Sequence, residues 1–411
     1  MRIAYLVLHI ATQYGIRNTS MNEKHIYLDH GATTPVHPQV IEAMLPYWTE
    51  IYGNPSSSHD FGRAAGHALD NARRTIAGLM NARPTEIVFT GCGSESDNLA
   101  LRGVMWAARA QGRGNHLITS CIEHGAVLTT AQQLRDHFGF DVTILPVDQY
   151  GQVDVQQVAD AIRPGTALIS IMAANNEIGT MQPVMEIGAV ARAHGIPFHT
   201  DAIQAALVAR WDVAQMPVDL ISLSPHKFYG PKGVGILYVR DGIEIVPALT
   251  GGGHEEGRRS GTVNVPFAIG AAEAYRLAVE EMPQRRAHYE ALRDRLIEGI
   301  LAAVPDDCMV TGHPTNRLPH NASFAFRHCS GNDLLIHLDM AGIAASSGSA
   351  CKTGNPKPSA ILEALGLGEE WTKGGLRFTV GQQNSMDDVE YVIETIPAVV
   401  QKLQKLNLLF A

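Results

Sequence analysis

Between Glu86 and Val239 the sequence alternates short β-branched runs with longer amphipathic stretches, and this rhythm restricts the possible folds more than any other feature. Glu86–Phe89, His116–Thr119, Val142–Leu145, Ala167–Met172, Pro197–Thr200, Leu220–Leu223 and Gly235–Val239 read as strands. Between them, Ser94–Arg109, Ala126–His137, Val155–Ile162 and Val184–His194 repeat their apolar residues at helical spacing. Strands that alternate with helices form a mostly parallel sheet, because a parallel neighbour is reached only by a crossover. Leu168-Ile169-Ser170-Ile171-Met172 is apolar almost throughout, as suits a strand covered on both faces. The expected fold class is α/β, a mostly parallel seven-stranded sheet flanked by helices.

After Gly251-Gly252-Gly253 the rhythm changes. Long helical patterns cover Val265–Glu281 and Arg285–Ala303, followed by strands near Ala322–Phe326 and Leu376–Thr379 and helices near Asp333–Met340 and Asp387–Leu406. This predicts a smaller α+β domain over residues 283–411, joined by an N-terminal segment, residues 21–36, with a large domain at 37–282. Residues 1–20 form an extension whose apolar stretch, Ile3 to Leu8, is short and lacks a clean cleavage site. An extended start is preferred there to an export signal.

Acidic residues number 41 against 32 basic ones, a net charge of −9, so no direct nucleic-acid partner is expected. No apolar run approaches the ~18 residues of a membrane helix. The five cysteines are scattered and form no Cys-x-x-Cys, which excludes a disulfide framework and points to a reducing, cytoplasmic setting.

Three segments carry chemistry. Ser224-Pro225-His226-Lys227 ends a buried strand and is followed by Gly230 and Gly233. A lone lysine in a turn is ordinarily a surface group, whereas a lysine confined in a pocket has a lowered pKa and forms Schiff bases. Asp201 ends another strand, where it reads as a helix cap or as the partner of a cationic ring nitrogen. Thr90-Gly91-Cys92-Gly93-Ser94 is a strand, a glycine turn and a helix start, a natural phosphate seat. The same stretch, with Asp97 three residues beyond Ser94, also reads as a capping box.

Further ordered segments accompany these: Leu28-Asp29-His30-Gly31-Ala32-Thr33-Thr34-Pro35, Gly53-Asn54-Pro55, Glu123-His124, Asn175-Asn176-Glu177-Ile178-Gly179, Asp201-Ala202-Ile203-Gln204 and Arg259-Ser260-Gly261-Thr262. Together they closely resemble the cysteine desulfurases, class-V aminotransferases of pyridoxal-phosphate fold type I, from about Ile26 to the last helix. The resemblance implies the cofactor pyridoxal 5'-phosphate, bound covalently by Lys227. Asp201 would pair with its ring nitrogen, Gln204 with its hydroxyl, His124 with its face and Asn176 with its edge. Gly93, Ser94, Ser224 and His226 would seat its phosphate, and Thr262 would reach the phosphate of a neighbouring subunit in a homodimer. Arg377 and Asn54 would hold the substrate carboxylate. Taken singly, Arg377 also reads as a salt-bridge residue and Asn54 as a turn residue.

The lysine and cofactor do not choose a reaction. The segment Ala345–Ser359 is built of small residues around Cys351, and a cysteine without large apolar neighbours is not a typical core residue. It resembles the family's sulfur-accepting nucleophile, which implies removal of sulfur from L-cysteine to give L-alanine and a persulfide on Cys351. The sulfur would pass to an acceptor protein, an iron–sulfur scaffold or a thiolation protein. Selenocysteine lyase and class-V aminotransferase are the alternatives. Cys92, Cys121, Cys308 and Cys329 read as inert. Pro225, Gly125 and Gln382 depart from the family pattern, and Pro225 is expected to stiffen the lysine turn.

Overall fold

A computed structural model describes residues 24–207, 209–347 and 358–410. The chain begins with β1 (Ile26–Tyr27) and continues through α1 (Pro38–Met44), α2 (Pro46–Thr49) and α3 (Asp60–Met80). The alternating region follows as β2 (Ile87–Thr90), α4 (Gly93–Ala110), β3 (His116–Ser120), α5 (Gly125–Phe138), β4 (Asp141–Leu145) and α6 (Val155–Ala161). It closes with β5 (Thr166–Ser170), α7 (Val184–Ala193), β6 (Phe198–Asp201), β7 (Leu220–Leu223) and β8 (Gly235–Val239).

These strands form the expected seven-stranded sheet, in the order β2-β8-β7-β6-β5-β3-β4. From β4 to β7 every neighbouring pair is parallel. β8 runs antiparallel to both β7 and β2. The reversal has a local cause: the link from β7 to β8 holds one short 3-10 turn, Pro225–Lys227, and no crossover helix. That tight return places the lysine at the carboxyl ends of the parallel strands, where open α/β sheets bind ligands. β2, β3, β5, β7 and β8 are buried along most or all of their length, as strands covered on both faces must be.

Two long helices, α8 (Val265–Glu280) and α9 (Met282–Ala303), lead to β9 (Cys308–Val310) and β10 (Asn321–Phe326). Then come α10 (Gly331–Met340), β11 (Ile343–Ala344), α11 (Ala360–Ala364), α12 (Glu369–Thr372), β12 (Gly375–Thr379) and α13 (Met386–Phe410). β12, β10 and β9 form an antiparallel sheet. β1 pairs in parallel with β11, Ile26 opposite Ile343, and Asp29 bridges to Thr379. The segment after β1, residues 28–35, therefore runs as a strap from the smaller sheet to the lysine turn. One apolar cluster joins the layers, from Ile169 and Ile221 through Tyr289 to Phe324 and Val392.

α3 lies outside the predicted set of helices. Its buried face is mainly alanine, Ala65, Ala68, Ala72 and Ala77, with Leu69, Ile76 and Met80. Alanine is the best helix former, and these residues set a clear apolar stripe against a charged opposite face. No helix among the described residues is long and apolar enough to cross a membrane.

Candidate active site

Lys227 sits where β7 turns back on itself, its backbone N–H closing the turn onto the Ser224 carbonyl at 3.0 Å. Pro225 occupies the first position of that turn, where its fixed φ is preorganised and its missing N–H costs nothing. Two residues beyond the lysine, Tyr229 has φ of 66°, a conformation held by its N–H donating to Thr34 Oγ1 at 2.8 Å. The strap receives the lysine amine: Nζ donates to the carbonyls of Gly31 and Ala32, both at 2.7 Å. Burial and then Arg377 lower the Lys227 pKa to about 8, against the opposing pull of Asp29 and Asp201.

Asp201 ends β6 beneath the same space. Its Oδ1 accepts the Ile203 N–H at 2.9 Å, and burial raises its pKa while that bond, His124 and Lys227 pull it down. Gln204 Nε2 donates to the Gly31 carbonyl at 2.9 Å. His124 caps α5 by accepting the Ala126 N–H on Nδ1 and presents its ring to the cavity. His226 contacts Thr33 Oγ1 at 3.1 Å through Nδ1, and burial, followed by Lys227 and Lys232, lowers its pKa to about 4.

α4 begins at Gly93, and its N-cap residue, Cys92, offers no side-chain hydrogen bond. The first N–H groups of an 18-residue helix are thus free of a side-chain cap beside the cavity, a ready anion seat. A Cβ at 93 would lie 2.4 Å from Ile203 Cδ1 and 3.0 Å from Ser224 Cβ, so any larger residue there must push its neighbours in the seat aside. The capping box expected at Ser94 and Asp97 does not form. Asp97 is fully buried and neither carboxyl oxygen has a hydrogen-bond partner.

Arg377 on β12 reaches in from the smaller sheet. Its Nη1 donates to the Asn176 carbonyl at 2.7 Å and its Nη2 to Asp29 Oδ1 at 2.8 Å. The Asn176 turn is fixed by Asn175, whose Oδ1 accepts the N–H groups of Glu177 and Ile178. Lys227, Asp201, Gln204, His124, Asn176, Gly93, Ser94, Ser224, His226 and Arg377 all line one cavity of about 440 Å³.

Two expected residues stand apart, and a third is not described. Asn54 is exposed and accepts the Ser56 N–H at 3.0 Å, its turn role. Thr262 is exposed and does not line this cavity. Cys351 lies outside the described residues. Several groups escaped the sequence reading: the carbonyls of Gly31 and Ala32, Asp29 as the arginine's partner, and the buried Glu123. Cys92, expected to be inert, lines the cavity and is exposed. Of the departures, Gln382 donates through Nε2 to Glu281 and through its backbone to the Tyr229 hydroxyl, both structural bonds.

The cavity brings together an uncapped helix start, a buried carboxylate, an imidazole, an amine of lowered pKa and a guanidinium. This donor set defines a class. A family model described as aminotransferase class-V matches residues 26–392. The chain is 47% identical over 390 residues to a cysteine desulfurase IscS of Methanosarcina thermophila, covering 95% of each chain. It matches the solved structure of a NifS-like protein with a TM-score of 0.86 and 35% identity, covering 92% of this chain and 100% of that one. It also matches a structure of SspA in complex with cysteine, TM-score 0.76 and 38% identity, over 88% of this chain and 100% of that one. The chain belongs to the class-V aminotransferase family, within its cysteine desulfurase branch.

Proposed function

We propose that the protein binds pyridoxal 5'-phosphate in the 440 Å³ cavity and removes sulfur from L-cysteine, leaving L-alanine. The observation that carries this reading is the Lys227 amine, held at a pKa of about 8 over Asp201 and beside Arg377 in a chain so similar to cysteine desulfurases. When bound, pyridoxal phosphate supplies an aldehyde for amines and a cationic ring that takes up the electron pair released at Cα.

Gly93, Ser94, Ser224 and His226 hold the phosphate, with the uncapped start of α4 complementing its charge. Asp201 keeps the ring nitrogen protonated, as an opposite charge favours the cationic form. Gln204 would serve the ring hydroxyl, His124 the ring face and Asn176 its edge. Arg377 binds the substrate carboxylate through its planar fork while Asp29 fixes its orientation. Lys227 would move the proton at the substrate Cα.

The sulfur goes to Cys351. Its thiolate attacks the substrate sulfur, the sulfur–Cβ bond breaks and a sulfur–sulfur bond forms. In balance, L-cysteine and the Cys351 thiol become L-alanine and a Cys351 persulfide, for delivery to an iron–sulfur scaffold or thiolation protein. Thr262, which does not serve its own cavity, completes the phosphate seat of a second subunit in a homodimer.

The test uses purified Cys351→Ala protein. It should remain yellow with bound cofactor yet release no sulfide from L-cysteine in the presence of a thiol reductant, whereas Lys227→Ala should be unable to anchor the cofactor covalently. Full sulfide output from Cys351→Ala would overturn the assignment of that residue.

A further inference from the structure

Two arginine–glutamate pairs fasten a second strap, residues 251–262, to α3 and to the first turn of α4. Arg73 donates to Glu255 Oε1 at 2.6 Å and Oε2 at 2.8 Å. Glu255 Oε2 also accepts the Phe89 N–H at 2.8 Å. β2 is an edge strand of the seven-stranded sheet, so its outer N–H groups have no strand neighbour and a carboxylate takes one of them. Glu255 and Glu256 have φ of 52° and 55°, and two successive non-glycine residues in this region persist only where their surroundings hold them.

Further along the strap, Arg259 Nε donates to Glu95 Oε1 at 2.7 Å and Nη2 to Oε2 at 3.3 Å. Glu95 Oε2 accepts in turn the Gly91 N–H at 2.6 Å. Gly91 is the residue where β2 becomes the turn that opens α4. A Cβ at Gly91 would lie 2.7 Å from that same Glu95 oxygen, so a larger residue there would press on the contact. Neither Arg259 nor Glu95 lines the cavity. Together they pin the backbone immediately before Cys92 and Gly93, whose direction decides where the uncapped N–H groups point.

We propose that Arg259 and Glu95 are positioning residues for the phosphate seat: by clamping the Gly91 N–H they aim the start of α4 at the cofactor's phosphate. The inference rests on the phosphate seat proposed above. It predicts selectivity for one part of the ligand, since the clamp touches the turn and leaves Lys227, Asp201 and Arg377 alone.

The experiment titrates the full-length apoprotein, by absorbance, with pyridoxal phosphate and with pyridoxal, which has the aldehyde and ring but no phosphate. Arg259→Ala should weaken pyridoxal phosphate by about tenfold or more, the scale of a lost charge-assisted hydrogen bond, while pyridoxal binding stays unchanged. Arg259→Lys keeps the charge but not the fork and should recover part of the loss. Glu95→Gln, which retains an acceptor for Gly91 but not the ion pair, should also lose affinity for the phosphorylated ligand alone. Equal loss of both ligands, or loss of neither, in Arg259→Ala and Glu95→Gln would overturn the clamp. A wild-type protein that binds both ligands equally would overturn the phosphate seat itself, and the clamp with it.

Discussion

The amine of Lys227 should titrate near pH 8 in the apoprotein, and the charges around it should move that midpoint in opposite directions. At pH 7.5 a group with that pKa is about one-quarter unprotonated, whereas an ordinary lysine is unprotonated about one time in a thousand, a ratio of roughly 200. Reductive alkylation by a small aldehyde, followed by peptide mapping, reads this fraction directly as the rate of modification at residue 227. Arg377→Met removes a cation that lowers the pKa and also releases Asp29, so the midpoint should rise by on the order of half a unit to one unit. Asp201→Asn removes an anion that raises it, so the midpoint should fall. The shift carries a stability consequence of fixed sign. The folded state binds the Lys227 proton less tightly than the unfolded chain, so this group costs about 3 kcal/mol below pH 8, and the cost disappears as pH rises towards 10.5. A wild-type midpoint in the ordinary lysine range, or an Arg377→Met midpoint that does not rise, would refute the reasoning.

Gly93→Ala should fold and yet bind pyridoxal phosphate at least about tenfold more weakly, because the new methyl group must displace Ile203 or Ser224 from the anion seat; absorbance titration measures this. Asp201→Asn should lower L-alanine production by about 10² or more, since an amide cannot hold the ring nitrogen protonated. Glu123 is buried with a pKa raised to about 8, above its unfolded value, so stability should fall as pH rises from about 4.5 to 8. Glu123→Gln should flatten that slope by up to a few kcal/mol, seen as a smaller drop in Tm across the window. Arg377→Lys should raise KM for L-cysteine, because a point charge cannot reproduce the bidentate hold or the bond to Asp29.

The sheet was legible because most of its strands are buried on both faces and so read as continuous apolar runs, with boundaries within about two residues. The amphipathic spacing of α3 was there to be read as well, although the helix lies outside the predicted set, and the short β9 and β11 owe their pairing to distant partners rather than to their own pattern. The site shows the same division. Lys227 and Asp201 are chemically singular at strand ends, so the sequence exposes them. The strap's contribution is made by backbone carbonyls, those of Gly31 and Ala32, and a carbonyl carries no residue type to read. Likewise Ser94 and Asp97 satisfy the spacing of a capping box, but the helix opens at Gly93, one residue before Ser94, and the cap is absent. The absence has a physical use. A side chain that satisfied those N–H groups would compete with the phosphate for them, so a helix start meant to hold an anion must keep its cap positions free of oxygen acceptors. Cys92 at that position meets the requirement, and substituting serine there should place a hydroxyl within reach of the same N–H groups. Cys92→Ser should therefore stabilise the apoprotein by about 0.5–2 kcal/mol while weakening the cofactor. Apoprotein stability by denaturant titration and affinity by absorbance should move in opposite senses; a variant in which both rise or both fall would show that α4 is held by something other than the choice between cap and phosphate.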